Sequence, residues 1–207
     1  MNNNNIMIYI IIVLIAYLLG NISTSYIVAK RMMGVDIRTQ GSGNAGSTNV
    51  LRTLGKKAGA ITFVGDVLKG IVAVVIAKGI AKYVGADIDT AGYLAVFGVV
   101  AGHNWPVLLG FRGGKGVATS LGSMIAVNPI MALSCFAIFL VIVAVTKYVS
   151  LGSIVSISMS PIFMLISQDI KGVYATLFLS ISVIYTHKDN IKRLLNKTER
   201  KLGEKKN

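Results

Sequence analysis

Apolar residues along this chain fall into long runs, with none of the two-residue alternation of half-buried strands. After Asn2–Asn5 an almost unbroken apolar stretch runs from Ile6 to Leu19 and on to Ala29. Together with later runs it predicts helices over 6–29, 58–81, 91–109, 116–127, 130–146, 150–167 and 172–186. About 20 apolar residues in a helix cross the roughly 30 Å hydrocarbon core of a bilayer. The pattern therefore predicts an all-α, polytopic integral membrane protein with seven transmembrane helices. The fourth run holds 12 residues, which reach about 18 Å as a helix. Such a span is short or re-entrant, and protein or a water-filled cavity must surround it. Asn128-Pro129 marks the turn after it, because proline disfavours helix in the residue before it.

Charge then fixes the expected orientation. Lys30 is the first charged residue, and no basic leader or small-x-small cleavage site precedes it, so 6–29 reads as a retained helix. With seven spans, the segments 30–57, 111–115, 147–149 and 187–207 share one side and hold 17 of the 21 Lys and Arg. The positive-inside rule makes that side cytoplasmic, with the N-terminus outside and the C-terminus cytoplasmic. Fusing 116–146 into one tilted helix would strand the 8 basic residues of the tail outside.

Composition closes off the alternatives. Charged residues make up 14% of the chain and mean hydropathy is +0.69, whereas a soluble domain carries about 25% charged residues. Such a chain cannot clothe a water-facing surface, nor is it disordered. One cysteine, Cys135, rules out a disulfide scaffold. Two histidines and few carboxylates speak against a zinc enzyme, so neither a metal nor a cofactor is expected. The net charge of +13 would suit nucleic acid, but its grouping by membrane side points to lipid headgroups instead.

Four polar clusters stand out. The first is Gly41-Ser42-Gly43-Asn44-Ala45-Gly46-Ser47-Thr48-Asn49, ending in Arg52. Its G-x-G-x-x-G spacing imitates a dinucleotide fingerprint, but that motif needs a preceding strand and here the neighbours are membrane spans. Its glycines can still aim backbone amides at an anion, and Arg52 adds a planar charged fork. A polar linker is the plain alternative. The second runs from Gly102-His103 to Gly113-Gly114-Lys115-Gly116; Leu109 and Gly116 stand where a Walker P-loop needs Gly and Ser or Thr, so it is a second anion loop or simple anchoring. The third, Asp66 and Lys69, shares a helix face within a span, as a buried salt bridge or as part of a polar pocket. The fourth follows the last span, with His187 and Asn190 on one face and Glu199 beyond. Together these clusters suit an enzyme handling phosphorylated substrates at the inner leaflet.

These stretches, with Ser23 and Ser150-Leu151-Gly152-Ser153, resemble the bacterial glycerol-3-phosphate acyltransferases of the PlsY type over nearly the whole chain. The resemblance implies a single membrane-embedded acyltransferase domain over 1–207. It also implies transfer of a fatty acyl group from acyl-phosphate to the sn-1 hydroxyl of glycerol 3-phosphate. Lysophosphatidic acid and phosphate would result, the first acylation of phospholipid biosynthesis, at the cytoplasmic face of a bacterial inner membrane. Upstream acyl-phosphate-forming and downstream lysophosphatidic acid-acylating enzymes are the implied partners. By position, Ser42, Arg52, His187, Asn190 and Glu199 take catalytic places. Gly41, Gly43, Asn44, Gly46, Thr48, Asn49, His103, Gly113, Gly114, Lys115, Gly116 and Ser153 take substrate-binding ones, and Ser23, Asp66 and Lys69 line or support the pocket. Two departures are visible: Ser47 where alanine is commoner, and Lys197 where a glycine commonly precedes the Thr-Glu pair. The proton acceptor stays open between His187, His103 and a substrate phosphate. Covalent acylation of Ser42 or Ser153 is a rival route, and a transporter for a phosphorylated solute is a rival function.

Overall fold

The first apolar run folds as two helices, not one. In the computed structural model, which describes residues 3–204, α1 covers Asn3–Gly20 and α2 covers Thr24–Met33. The single helix expected over 6–29 breaks at Asn21-Ile22-Ser23, where Ser23 turns its hydroxyl to the Tyr26 N–H at 3.4 Å and caps α2. A serine in this place competes for the backbone and favours a helix start over helix continuation. Nine more helices follow: α3 (Ser47–Leu54), α4 (Lys56–Val84), α5 (Ile88–Asn104), α6 (Val117–Val127), α7 (Pro129–Thr146), α8 (Val149–Ser158), α9 (Ser160–Ile166), α10 (Ile170–Thr186) and α11 (Lys188–Leu195). Short 3-10 turns sit at Ile37–Thr39 and Val107–Leu109, and the described residues contain no strand.

Among the described residues, five stretches are long and apolar enough to cross a membrane: Asn5–Met33 taken through its turn, Lys56–Val84, Ile88–Leu109, Pro129–Thr146 and Val149–Ile166. Val117–Val127 and Ile170–Thr186 are apolar but shorter. The expected span 150–167 is also interrupted, at Met159, because Pro161 has no N–H to give and fits only the first turn of a new helix.

The chain divides into two compact units, Met1–Pro129 and Ile130–Asn207. In the first, large apolar side chains point outward, as Ile10, Leu14, Leu18, Val64, Leu68 and Val75 do, while Ala, Gly and polar residues fill the interior. This is the arrangement of a protein solvated by lipid. Small residues let the helices touch backbone to backbone. Gly98 and Gly102 of α5 lie against Val13–Gly20 of α1, and Gly122 of α6 lies against Val67 of α4; a methyl group at any of the three would collide with the facing carbonyl. The fourth apolar run forms α6, a helix of 11 residues that ends before Asn128-Pro129 and is shorter than the five candidate spans. Its Ala126 carbonyl receives Lys78 Nζ of α4 at 2.8 Å, which satisfies one of the unpaired carbonyls of its last turn. In the second unit a seam of buried hydroxyls runs along α8 to α10, and Ser180 donates to the Ile157 carbonyl at 3.0 Å.

Candidate active site

The break in the first span frees two carbonyls, and a lysine from α4 takes them. Lys69 Nζ lies 3.3 Å from Gly20 O and 2.9 Å from Ile22 O. The same ammonium pairs with Asp66 Oδ1 at 2.9 Å, one turn back on α4, and with His103 Nδ1 at 2.7 Å, near the end of α5. All three side chains are buried. A buried charge is tolerated only when paired and hydrogen-bonded, and here every ammonium hydrogen has a partner. The salt bridge read from the sequence is present, and its lysine also reaches His103 and two carbonyls at the break in the first span. Asn21 completes the break: its Oδ1 accepts from the Leu108 N–H at 3.2 Å. Tyr17 donates to the Trp105 carbonyl at 2.8 Å and accepts from the Val107 N–H at 3.2 Å. The turn after α5 is therefore latched to α1.

The first glycine loop is shaped from within. Asn49 is buried, donates through Nδ2 to the carbonyls of Gln40 and Asn44 at 3.0 Å each, and accepts the Ser42 N–H through Oδ1 at 3.0 Å. Its amide therefore moulds the loop. Arg38 clasps Asp36 at 2.7 Å and donates to the Leu109 carbonyl at 2.6 Å, joining this loop to the turn after α5. Hydrogen bonding to that guanidinium holds the Asp36 carboxyl below the usual carboxylate range. Gly46 opens α3 with no side chain capping it, so the helix begins at Ser47 and carries Thr48 and Arg52. Ser42, Gly41 and Gly43 are exposed, while Asn44, Thr48 and Arg52 are half-buried.

The second loop has the same construction. Gly116 has φ +78°, a left-handed conformation that suits glycine, and opens α6 without a side-chain cap. Gly114 donates its N–H to the His103 carbonyl at 3.0 Å, and its backbone passes so close to the imidazole that a side chain there would collide with Nε2. Gly113 O accepts the Ala45 N–H at 3.3 Å. That bond joins the two loops. Lys115 sits half-buried between Gly114 and Gly116.

The second unit gathers the rest. Glu199 Oε1 accepts from Ser150 Oγ at 2.7 Å and Asn190 Nδ2 at 2.6 Å, and Oε2 accepts from Arg193 Nε at 2.7 Å. Burial alone pushes the Glu199 carboxyl up, but these donors and the Arg193 charge outweigh it and hold the pKa below the ordinary value. Lys197 adopts φ +58° in the place of the expected glycine, and Thr198 N–H donates to Arg193 O at 2.8 Å to close the turn that returns Glu199. The last span does not continue through His187. This residue joins α10 to α11, is buried, and points Nδ1 at the Val183 carbonyl at 2.8 Å. Ser153 is buried and donates to the Val149 carbonyl at 2.9 Å.

The first unit thus unites both glycine loops, Ser23, Asp66, Lys69 and His103, and the second unites Asn190, Glu199 and their neighbours. Tyr17, Asn21, Asp36 and Arg38 escaped the sequence reading. For Asn21 the signal was present, as a buried amide interrupting an apolar run.

Together these features define a class: a multi-pass helical membrane protein whose polar site is built on two glycine turns, each opening a helix. A family model described as glycerol-3-phosphate acyltransferase matches residues 10–197. The chain is 70% identical over 198 residues to a glycerol-3-phosphate acyltransferase of Clostridioides difficile (strain 630), covering 96% of this chain and 97% of that one. It is 48% identical to one from Alkaliphilus metalliredigens (strain QYMF), over 96% and 98% of the two chains. Two crystal structures of PlsY, an integral membrane glycerol 3-phosphate acyltransferase, share 40% identity with it. The glycerol 3-phosphate form superposes with TM-score 0.86 over 94% of this chain and 96% of that one. The lysophosphatidic acid form gives 0.84 over 94% and 95%. The chain belongs to the glycerol-3-phosphate acyltransferase family.

Proposed function

We propose that this protein transfers a fatty acyl group from acyl-phosphate to the sn-1 hydroxyl of glycerol 3-phosphate, yielding lysophosphatidic acid and phosphate. The observation that carries the reading is the Ala45–Gly113 hydrogen bond, which sets side by side two glycine turns leading into helix N-termini with no side-chain cap. Backbone amides at such ends favour anions, and both substrates carry phosphate. The Ser42–Arg52 loop holds the donor phosphate, and Lys115 orients glycerol 3-phosphate. The hydroxyl oxygen attacks the acyl carbon, the carbon–oxygen bond to phosphate breaks, and phosphate leaves. An acyl phosphate is already activated, so positioning and electrostatics suffice. Asn190 and Glu199 keep the catalytic places that the resemblance implies, and His187, His103 or a substrate phosphate takes the hydroxyl proton.

The acyl tail lies among the helices and never crosses water. Seven spans, with α6 and α10 as the short ones, put the N-terminus outside and the loops on the cytoplasmic face of the inner membrane, where most Lys and Arg lie. The whole chain works as one acyltransferase domain, between enzymes that form acyl-phosphate and enzymes that acylate the lysolipid. Purified protein given long-chain acyl-phosphate and radiolabelled glycerol 3-phosphate should form labelled lysolipid. Uptake of label into vesicles without product would instead support a transporter.

A further inference from the structure

We infer that Lys69 is a positioning residue that locks His103 as a hydrogen-bond donor at the seam of the two glycine loops and so excludes it as the proton acceptor. The kinetic consequence rests on the acyl-transfer reading above; the tautomer rests on geometry alone. Asp66 Oδ1, 2.9 Å away, pairs with the lysine by charge and takes no hydrogen bond from it, so the amine is the ammonium; the carbonyls of Gly20 and Ile22, which can only accept, take two of its three hydrogens and leave the third for His103. His103 Nδ1 is its shortest partner at 2.7 Å. Asp66 Oδ1 stands 3.7 Å from Nδ1, too far for a hydrogen bond, so the carboxylate does not hold a proton on that nitrogen. Nδ1 therefore accepts, and a neutral imidazole with Nδ1 occupied carries its proton on Nε2.

Nε2 is the edge turned to the Gly114 backbone, and the Ala45 carbonyl borders the same point. The donor thus sits where the Ala45–Gly113 bond joins the loops. The lysine that bridges the broken first span also sets what this ring offers. His187 is arranged in the opposite sense. Its Nδ1 faces a carbonyl, which only accepts, so a neutral ring there has its lone pair on Nε2.

One spectrum separates the two rings. Nitrogen NMR of the purified full chain, labelled in its histidine rings and assigned with His187→Gln, should show His103 protonated on Nε2 alone. A proton on Nδ1, or on both nitrogens, would overturn the inference. Asp66→Asn combined with Lys69→Met removes both charges together and leaves no lone buried ion. It should turn the His103 signal into a tautomer mixture and lower kcat/KM for glycerol 3-phosphate by about tenfold or more. An unchanged signal, or kcat/KM within about twofold, would refute it. Should that variant not fold, His103 substitutions decide. His103→Ala should lose about a hundredfold, and His103→Gln, whose amide keeps a donor, should recover much of the loss; a Gln variant as poor as Ala would count against a donor role. If the unaltered protein forms no lysolipid at all, the acyl-transfer reading falls, and the spectrum still decides the tautomer.

Discussion

Replacing Glu199 by Gln probes the network that returns the tail to α8 and α11. The carboxylate takes three donors, and the amide oxygen can keep two of them, Ser150 and Asn190. Its NH2 then faces Arg193 Nε–H, donor against donor, where a 2.7 Å charge-assisted bond stood. Such bonds contribute about 1.5–3 kcal/mol. The Arg193 side chain is 43% exposed, so solvent screens part of its share. The net loss should be about 2 kcal/mol, enough to lower the melting temperature of the detergent-purified protein by several degrees. Because the folded pKa of Glu199 is depressed, its contribution is complete above the unfolded carboxyl's pKa and is lost as pH falls through the folded value. Thermal unfolding at neutral pH should separate Glu199→Gln from the parent, and the two should converge in acid, once the pH lies below the depressed folded pKa. Coincident melting at neutral pH, or a gap that persists undiminished in acid, would refute the reasoning.

Other expectations follow from the same contacts. Gly102→Ala forces α1 away from α5 and strains the Tyr17 latch, costing about 1–3 kcal/mol. Gly79→Ala, in open space on α4, should be neutral or stabilising by about 0.5–1 kcal/mol; comparing their melting curves checks both. Lys197→Gly relieves a left-handed lysine and should stabilise the tail by about 0.5–1 kcal/mol, net of glycine's greater unfolded freedom, as read by chemical denaturation. Arg52→Ala and Lys115→Ala should each lower lysolipid formation by about tenfold or more; near-normal initial rates at matched expression would remove those two from the site.

Every apolar helical run was legible in the sequence, because lipid demands apolar length and hydropathy reports it; α3 and α11, eight polar-faced residues each, carry no such signal. The two interruptions were harder. Three residues at Asn21-Ile22-Ser23 vanish in an average over a whole span, although Ser23 is a good helix cap. Pro161 within an apolar run did mark the second break, and helix-start chemistry was the rule to apply there. Both glycine loops could be read as anion-competent turns from composition and φ preference. Their junction could not, since Ala45 and Gly113 meet only through α1, α4 and α5. Lys69 shows the same limit: its spacing from Asp66 foretold the pair, but nothing local foretold that its tip would reach the carbonyls of another span. Lys197 teaches the converse, that a residue other than glycine can hold a left-handed turn when the hydrogen bonds around it are good enough.

The cap that Lys78 places on α6 bears on how the chain is made. A nascent α6 of 11 residues, about 16 Å long, leaves the ribosome unable to partition into lipid unaided. The lysine that finishes it lies on α4, which is synthesised earlier, so the partner α6 needs already stands in the chain when α6 emerges. Seating of the short helix therefore draws on a side chain that belongs to neither glycine loop.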